Sequence, residues 1–211
     1  MRDHEAILSD QFEDFEQQET AATTGMWVFL ATEILFFGGL FLAYLVLRTT
    51  YPHQFAVGSG LANVTLGTLN TAILLTSSFT MVFAVLSAES GAAKSLVLLL
   101  LGTIAFGLLF LALKGLEYRE HFQDHLFPGI QFRKDLPKQV ELFFWLYFVM
   151  TGLHALHVLV GIGLLSVMAT LAMRGKFSPR YHTPIKIAGL YWHFVDIVWV
   201  FLYPLFYLIH K

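Results

Sequence analysis

The chain has 211 residues, of which 56% are hydrophobic, 16% are aromatic and only 13% are charged. The apolar fraction is higher and the charged fraction lower than in a water-soluble domain, so the composition predicts a membrane protein. The chain has no cysteine, which excludes disulfides, thiolate metal sites, iron–sulfur clusters and a cysteine-bridged copper pair on this polypeptide. A net charge of −2 without a basic run argues against a nucleic-acid partner.

Residues 1–24 form a predicted amphipathic arm with a strong acidic bias. Arg2 is its one basic residue apart from histidine, while Leu8, Phe12 and Phe15 recur at helical spacing. The acidic side chains are Asp3, Glu5, Asp10, Glu13, Asp14, Glu16 and Glu19. The arm lacks the pattern of a secretory signal, so we expect it to be retained. It is predicted to dock on a partner or lie near the membrane interface, with a frayed terminus as the alternative.

Five hydrophobic runs are each long enough to cross a bilayer. They predict an all-α, polytopic membrane helix bundle with five transmembrane helices, no soluble domain and no internal repeat. The spans are predicted at about 25–47, 64–87, 95–113, 142–173 and 187–209, so that residues 25–211 form one transmembrane domain. The connection over 48–63 contains Pro52 and two glycines and is predicted to be a short exposed loop. The longest polar connection is predicted over 114–141.

Glu33 is the one acidic residue of the first predicted span. An ionised carboxylate at this depth costs at least about 2–3 kcal/mol, so Glu33 is expected to be protonated, paired or facing a polar cavity. Two interpretations stand. Glu33 is either a hydrogen-bonded carboxyl that holds helices together, with His154 or His157 as its partner, or a carboxyl that takes part in proton or lipid chemistry.

The second span has no charge but contains several small polar side chains. In lipid, such residues mark contacts between helices more often than ligand sites, and we expect that role here. They are Asn70, Thr71, Thr76, Ser77, Ser78 and Thr80.

Glu117, His121 and His125 follow the third span at four-residue spacing. On a continuing helix they share one face, and this spacing suits metal ligation. The competing interpretation is a set of titratable groups at a helix end, where the chain leaves the membrane. We favour the second interpretation and predict no metal on this chain.

The last two spans each contain a polar pair at i, i+3 spacing. His154 and His157 lie on roughly one side of the fourth span, where hydrogen bonds between helices are favoured over haem or metal ligation because no second histidine set accompanies them. His193 and Asp196 share a face of the fifth span, where a local pair reduces the cost of both groups in lipid.

The loop between the fourth and fifth spans is basic and contains no acid. Its Arg174, Lys176 and Arg180 are candidate ligands for anionic lipid headgroups, and the loop is predicted to be cytoplasmic. Five crossings then place the N-terminus in the cytoplasm and the C-terminus on the opposite side. Lys and Arg are nearly equal in number on the two sides, so this orientation depends on the one loop.

Five sequence blocks, in this order, resemble subunit III of the haem–copper terminal oxidases, the cytochrome c oxidase subunit 3 family. They are GMWVFLATEILFFGGLFLAY at 25–44, LNTAILLTSSFTM at 69–81, GLEYREH at 115–121, TGLHALHVLVG at 151–161 and LYWHFVDIVWVFLYPL at 190–205. The long form of the family has two further helices in front, and the chain is similar to the short five-helix bacterial form. A lipid cleft built with those two helices is therefore in question.

The resemblance implies an accessory subunit of aerobic respiratory electron transport. Such a subunit binds the catalytic subunit I, supports its stability and proton uptake, and carries no redox centre itself. Haem and copper are then on partner subunits, and subunit II, other subunits and phospholipids are further partners. In the family, the glutamate that matches Glu33 is the carbodiimide-reactive carboxyl, discussed in connection with proton uptake and bound phospholipid. The implied location is the bacterial inner membrane, with a periplasmic C-terminus.

Four assignments remain at this point. The overall match ranks a cytochrome c oxidase first, a quinol oxidase second and a nitric oxide reductase third. Nothing in this chain identifies the electron donor, because the donor site lies on other subunits. A more distant alternative is a free-standing proton-coupled transporter. Its proton path would be lined by Glu33, His154, His157, His193 and Asp196. Transporters of this kind commonly have repeats and broken helices, and neither is visible in the sequence.

Overall fold

The computed structural model describes residues 11–129 and 132–209, and within these ranges the chain forms six α-helices. They are α1 (Phe15–Thr50), α2 (Pro52–Gly60), α3 (Val64–Glu89), α4 (Ala93–Gln123), α5 (Val140–Met173) and α6 (Thr183–Tyr207). All but the short α2 are long and apolar enough to cross a membrane. The prediction of an all-α membrane bundle with five transmembrane helices is confirmed.

The last helix, α6, is at the centre of the bundle. Its backbone lies close to those of α1, α3 and α5, whereas α4 lies against α3 and α5 and reaches α6 through side chains. In its most apolar stretch, 61% of the residues of α6 are buried inside the protein, compared with 17% for α1. The helix α1 is therefore a peripheral element that is held mainly through α6.

The connection over 48–63 is not a simple loop, and this prediction was wrong. It contains the helix α2, which begins at Pro52, a residue whose fixed backbone angle suits the first helical turn. Phe55 of α2 is fully buried, with its ring centroid 5.4 Å from that of Tyr44 and 5.6 Å from that of Phe143. An added Cβ at Gly58 would come within 2.5 Å of the Phe143 ring. Aromatic burial therefore keeps this short segment helical.

The predicted acidic arm is not separate from the first span in its described part. Asp14 accepts a hydrogen bond from the backbone N–H of Gln17 and so caps a helix that runs unbroken through residue 24 into the membrane. On this extension, Glu19 Oε1 lies 3.6 Å from Lys186 Nζ at the start of α6. Residues 1–10, which include Asp3, Glu5 and Asp10 of the prediction, lie outside the described residues.

The third transmembrane helix extends ten residues beyond its predicted end at Leu113. It continues to Gln123 and includes Lys114, Glu117 and His121, which we had predicted to lie in a polar connection. All three are buried inside the bundle. The polar residues had indicated a membrane exit, but they are turned towards α5 and α6 instead of towards water.

Candidate functional site

Glu33 contacts His157, one of its two predicted partners across the bundle. Glu33 Oε2 lies 3.2 Å from His157 Nε2, and both side chains are mostly shielded. The other ring nitrogen, Nδ1, is 2.8 Å from the carbonyl oxygen of Leu153 and so donates its proton there. In a neutral pair, the Glu33 carboxyl donates its proton to Nε2. This contact ties α1 to α5.

His154 does not form the hydrogen bond between helices that we had predicted for it. Its ring is fully buried and lies between the rings of Phe110 and Trp199, with centroid distances of 5.6 and 5.2 Å. Within the described residues, neither of its ring nitrogens has a hydrogen-bond partner. The two histidines of the fourth span therefore differ, because His157 contacts Glu33 while His154 is a packed core residue.

A buried cage around Lys114 joins α4, α5 and α6. Lys114 Nζ donates to Glu117 Oε2 at 3.0 Å and to the hydroxyls of Tyr147 and Tyr207 at 3.0 and 2.9 Å. The Tyr207 hydroxyl in turn donates to Glu117 Oε1 at 2.7 Å. The ring centroid of Trp199 lies 5.1 Å from Nζ. We refer to Lys114, Glu117, Tyr147 and Tyr207 as the lysine cage.

The lysine cage provides hydrogen-bond partners for the ammonium and carboxylate groups, which are the most costly to bury. All three ammonium protons have an oxygen acceptor, both carboxylate oxygens have a donor, and the faces of aromatic rings surround the cation. Glu117 was predicted to lie at a helix end, and its partners were missed. The available signal was the i, i+3 spacing of Lys114 and Glu117 between apolar neighbours, which favours an ion pair on one helix face.

The helical face expected to carry Glu117, His121 and His125 does not extend to His125. The helix ends at Gln123, and His125 has a φ of 55°, which takes it out of the helical path. His121 is buried, with Nδ1 placed 2.8 Å from the carbonyl oxygen of Glu117. Within residues 11–129 and 132–209, no three His, Asp or Glu side chains are grouped so as to hold a metal ion.

His193 and Asp196 are not bonded to each other, so the predicted local pair was wrong. Among the described residues, neither a hydrogen bond nor an ion pair joins them; instead, His193 Nδ1 lies 2.7 Å from Ser78 Oγ on α3. Asp196 is 4% exposed, and the polar side chain beside its carboxyl is also Ser78 of α3. The polar face of α6 is therefore directed to α3.

The predicted helix contacts of the small polar residues of α3 are confirmed for Thr71, Ser77 and Ser78, which contact α6, whereas Thr76 is exposed and donates to the carbonyl oxygen of Ala72 on its own helix. The indole N–H of Trp192 donates to Ser77 Oγ at 3.1 Å, and that of Trp199 donates to Thr71 Oγ1 at 3.0 Å. Together with the contact between Ser78 and His193, these bonds form a ladder along the two helices. It places the large tryptophan rings at fixed depths in the bundle.

Charged groups lie at both ends of the bundle. Lys186 Nζ lies 3.6 Å from Glu19 and 3.7 Å from Glu89, so it joins the starts of α1 and α6 to the end of α3. On the opposite side, the hydrogen bond from Arg133 lowers the pKa of the Asp135 carboxyl. The candidate headgroup ligands Arg174, Lys176 and Arg180 are exposed, and no ion pair involves them within the described residues.

Comparison with known proteins identifies the family. Residues 11–210 match the family model described as Cytochrome c oxidase subunit III. The chain is 34% identical to Cytochrome c oxidase subunit 3 of Thermostichus vulcanus, over 89% of this chain and 87% of the relative. It is 32% identical to the protein of the same name from Corynebacterium diphtheriae, over 89% and 87% of the two chains.

A third relative has a composite name. It is Heme-copper oxidase subunit I+III of Aeropyrum pernix, 30% identical over 88% of this chain and 22% of the relative. The fold of five apolar helices and the match over nearly the whole length agree with one another. This integral membrane protein belongs to the cytochrome c oxidase subunit III family.

Proposed function

We propose that this chain is a non-catalytic subunit of a proton-pumping haem–copper oxidase that reduces oxygen to water, and that it stabilises the catalytic subunit. The proposal rests on one observation: the polar side chains inside the membrane-spanning part bond to other helices of the same chain. Glu33 with His157 and the lysine cage each connect helices of this chain to one another. Groups used in this way hold a bundle together. In this proposal, haem and copper are bound by the partner subunits.

The main partner proposed is subunit I, with subunit II and other subunits of the oxidase as further partners. The name of the Aeropyrum pernix relative supports subunit I, because it combines the two subunits in one polypeptide. Bound phospholipid is a further proposed partner. We propose that its headgroups bind to the basic loop, which contains Arg174, Lys176 and Arg180 and has no acidic residue.

Copurification tests this proposal directly. A tagged form of the chain, extracted from its native membrane in mild detergent, is expected to bring down a stoichiometric haem–copper subunit, identified by its reduced-minus-oxidised spectrum and by mass spectrometry. The haem types and the electron donor accepted by that complex separate a cytochrome c oxidase from a quinol oxidase or a nitric oxide reductase. A chain that purifies alone and conducts protons in liposomes would instead be a transporter.

The bacterial inner membrane is the proposed location, with the N-terminus in the cytoplasm and the C-terminus in the periplasm. The basic loop between α5 and α6 supports this orientation through the positive-inside rule.

Two roles are proposed for Glu33, and one pair of variants separates them. If its hydrogen bond to His157 fixes the bundle and a lipid beside subunit I, then Glu33→Gln changes assembly, lipid content or the lifetime of the oxidase during turnover. If Glu33 instead collects protons, Glu33→Ala slows proton uptake at raised pH. An unchanged pH profile for Glu33→Ala would contradict the second role, and unchanged assembly, lipid content and lifetime for Glu33→Gln would contradict the first.

A further inference from the structure

The walls of the lysine cage have the features of a binding site for an ammonium ion. Glu117 Oε2 and the hydroxyls of Tyr147 and Tyr207 lie 2.9–3.0 Å from Lys114 Nζ and accept its three N–H bonds. Four aromatic rings, including that of Trp199, have their centroids 4.8–5.6 Å from the same atom. Aromatic rings arranged in this way recognise ammonium ligands in other binding sites.

These walls are held in place by contacts with each other as well as with the lysine. The Tyr207 hydroxyl donates to Glu117 Oε1 at 2.7 Å, and it lies 3.3 Å from the hydroxyl of Tyr147. Glu117 and Tyr147 are fully buried. The negative charge and two of the oxygen acceptors are therefore positioned in part without Lys114.

The shape and polarity of the site fit a primary alkylammonium ion. The change Lys114→Ala removes three methylene groups and the ammonium nitrogen, which are the same four heavy atoms that make up propylammonium. A primary ammonium group offers the three N–H donors that the walls accept. A potassium ion and tetramethylammonium offer none.

The cage lies at the level where α4 leaves the hydrocarbon core. Lys114 is about 32 Å along the axis from Ala93, the first residue of α4, compared with a core thickness of about 30 Å. Tyr207 is the last residue of α6. A small amine from the aqueous side therefore has a route to the cage that does not cross the bilayer.

We infer that the lysine cage is a binding site for a primary alkylammonium ion, and that the chain fills this site with its own Lys114. The lysine is a built-in ligand, and the walls keep their selectivity when it is removed. The inference goes beyond the proposed function, because it concerns a ligand class that this chain binds whatever its catalytic partner is.

Thermal unfolding of the full chain in detergent, followed by tryptophan fluorescence, tests the inference on Lys114→Ala. Propylammonium chloride is expected to raise the melting temperature of this variant by about 3–6 °C at ten times its Kd. Methylammonium is two methylene groups shorter and is expected to bind about 15-fold more weakly. Potassium chloride and tetramethylammonium chloride at equal ionic strength are expected to leave the melting temperature unchanged. An equal rise with either salt, or no rise with propylammonium, would overturn the inference.

Two further variants locate the bound amine. Lys94→Ala makes the same deletion at an exposed position of the same helix, and we expect it not to respond to propylammonium. Lys114→Ala combined with Glu117→Gln lacks the negative charge of the site, and its response is expected to be lost. A response of Lys94→Ala as large as that of Lys114→Ala, or a full response of the double variant, would place the amine elsewhere and overturn the inference.

A separate variant covers the case in which Lys114→Ala does not fold. Lys114→Cys introduces one thiol into a chain without cysteine. 2-Bromoethylamine alkylates its thiolate with release of bromide, and the product side chain has the length of lysine and ends in an ammonium group. Iodoacetamide gives an uncharged side chain of similar length. With both reactions verified by mass spectrometry, the melting temperature is expected to return towards the parent value with 2-bromoethylamine only. Equal recovery with the two reagents, or recovery with neither, would overturn the inference.

Discussion

Lys114 and Glu33 illustrate two ways of keeping a charged or acidic residue inside a membrane protein. Lys114 is 3% exposed and Glu117 is fully buried, and each polar atom of the pair has a partner. Glu33 is on the peripheral helix, and within the described residues its hydrogen-bond contact is to His157. Removing one member of a satisfied buried pair leaves the other uncompensated, so the lysine cage is expected to be the more sensitive of the two.

We predict that Lys114→Met lowers the free energy of unfolding by about 3–5 kcal/mol, because the Glu117 carboxylate is then buried without its cation. Chemical denaturation in mixed micelles, followed by tryptophan fluorescence, measures the change. The double variant Lys114→Met with Glu117→Met serves as the control, since it removes both charges. It is expected to be more stable than Lys114→Met alone, and additive losses would contradict the account of the cage.

At the scale of the helix, glycines that look alike in the sequence have different surroundings. A Cβ added to Gly161 would lie 2.9 Å from the ring of Trp192, which is fully buried and bonded to Ser77. A Cβ added to Gly163, two residues later, meets no atom within 4 Å. Gly161 thus sets how closely α5 approaches α6, whereas Gly163 faces outward.

Gly161→Ala is predicted to destabilise the bundle by about 1–3 kcal/mol, because Trp192 has to move away from its position against α5. Gly163→Ala is the matched control and is expected to be neutral or to stabilise by up to about 1 kcal/mol through helix propensity. Thermal unfolding in detergent compares the two variants with the parent chain. Similar melting temperatures for both variants would show that the close approach at Gly161 does not matter.

The sequence identified the helices better than it identified their ends. Hydrophobic length was sufficient to find five spans, since it depends on local composition alone. Polar residues misled the prediction at Lys114 and Glu117, because their partners Tyr147 and Tyr207 come from helices distant in the sequence. The nearness of Glu33 to a histidine was predictable, but the choice between His154 and His157 depends on how α1 crosses the bundle.

At the scale of the whole molecule, orientation in the membrane depends on a small asymmetry of charge. The burial of Lys114 removes one cation that the sequence had assigned to the outer side. The exposed cations of the basic loop between α5 and α6 remain together on one surface. The proposed cytoplasmic position of this loop therefore depends on the loop's own cations and not on the overall count of basic residues.

The absence of cysteine makes this orientation easy to measure. Ser178→Cys in the basic loop is predicted to react with a membrane-impermeant maleimide in inside-out vesicles and to be protected in right-side-out vesicles. Lys134→Cys, in the connection between α4 and α5, is expected to show the reverse pattern. Reaction of Ser178→Cys in right-side-out vesicles would invert the proposed topology.

The length of α1 has a mechanical consequence. Its 36 residues make a continuous rod of about 54 Å, well beyond the thickness of the hydrocarbon core. An α-helix is stiff over this distance, so a sideways push on its acidic first turn tilts the rod as a lever. A load applied to that turn at the membrane surface would therefore be transmitted along the rod to the contact between Glu33 and His157, without any contact inside the bilayer.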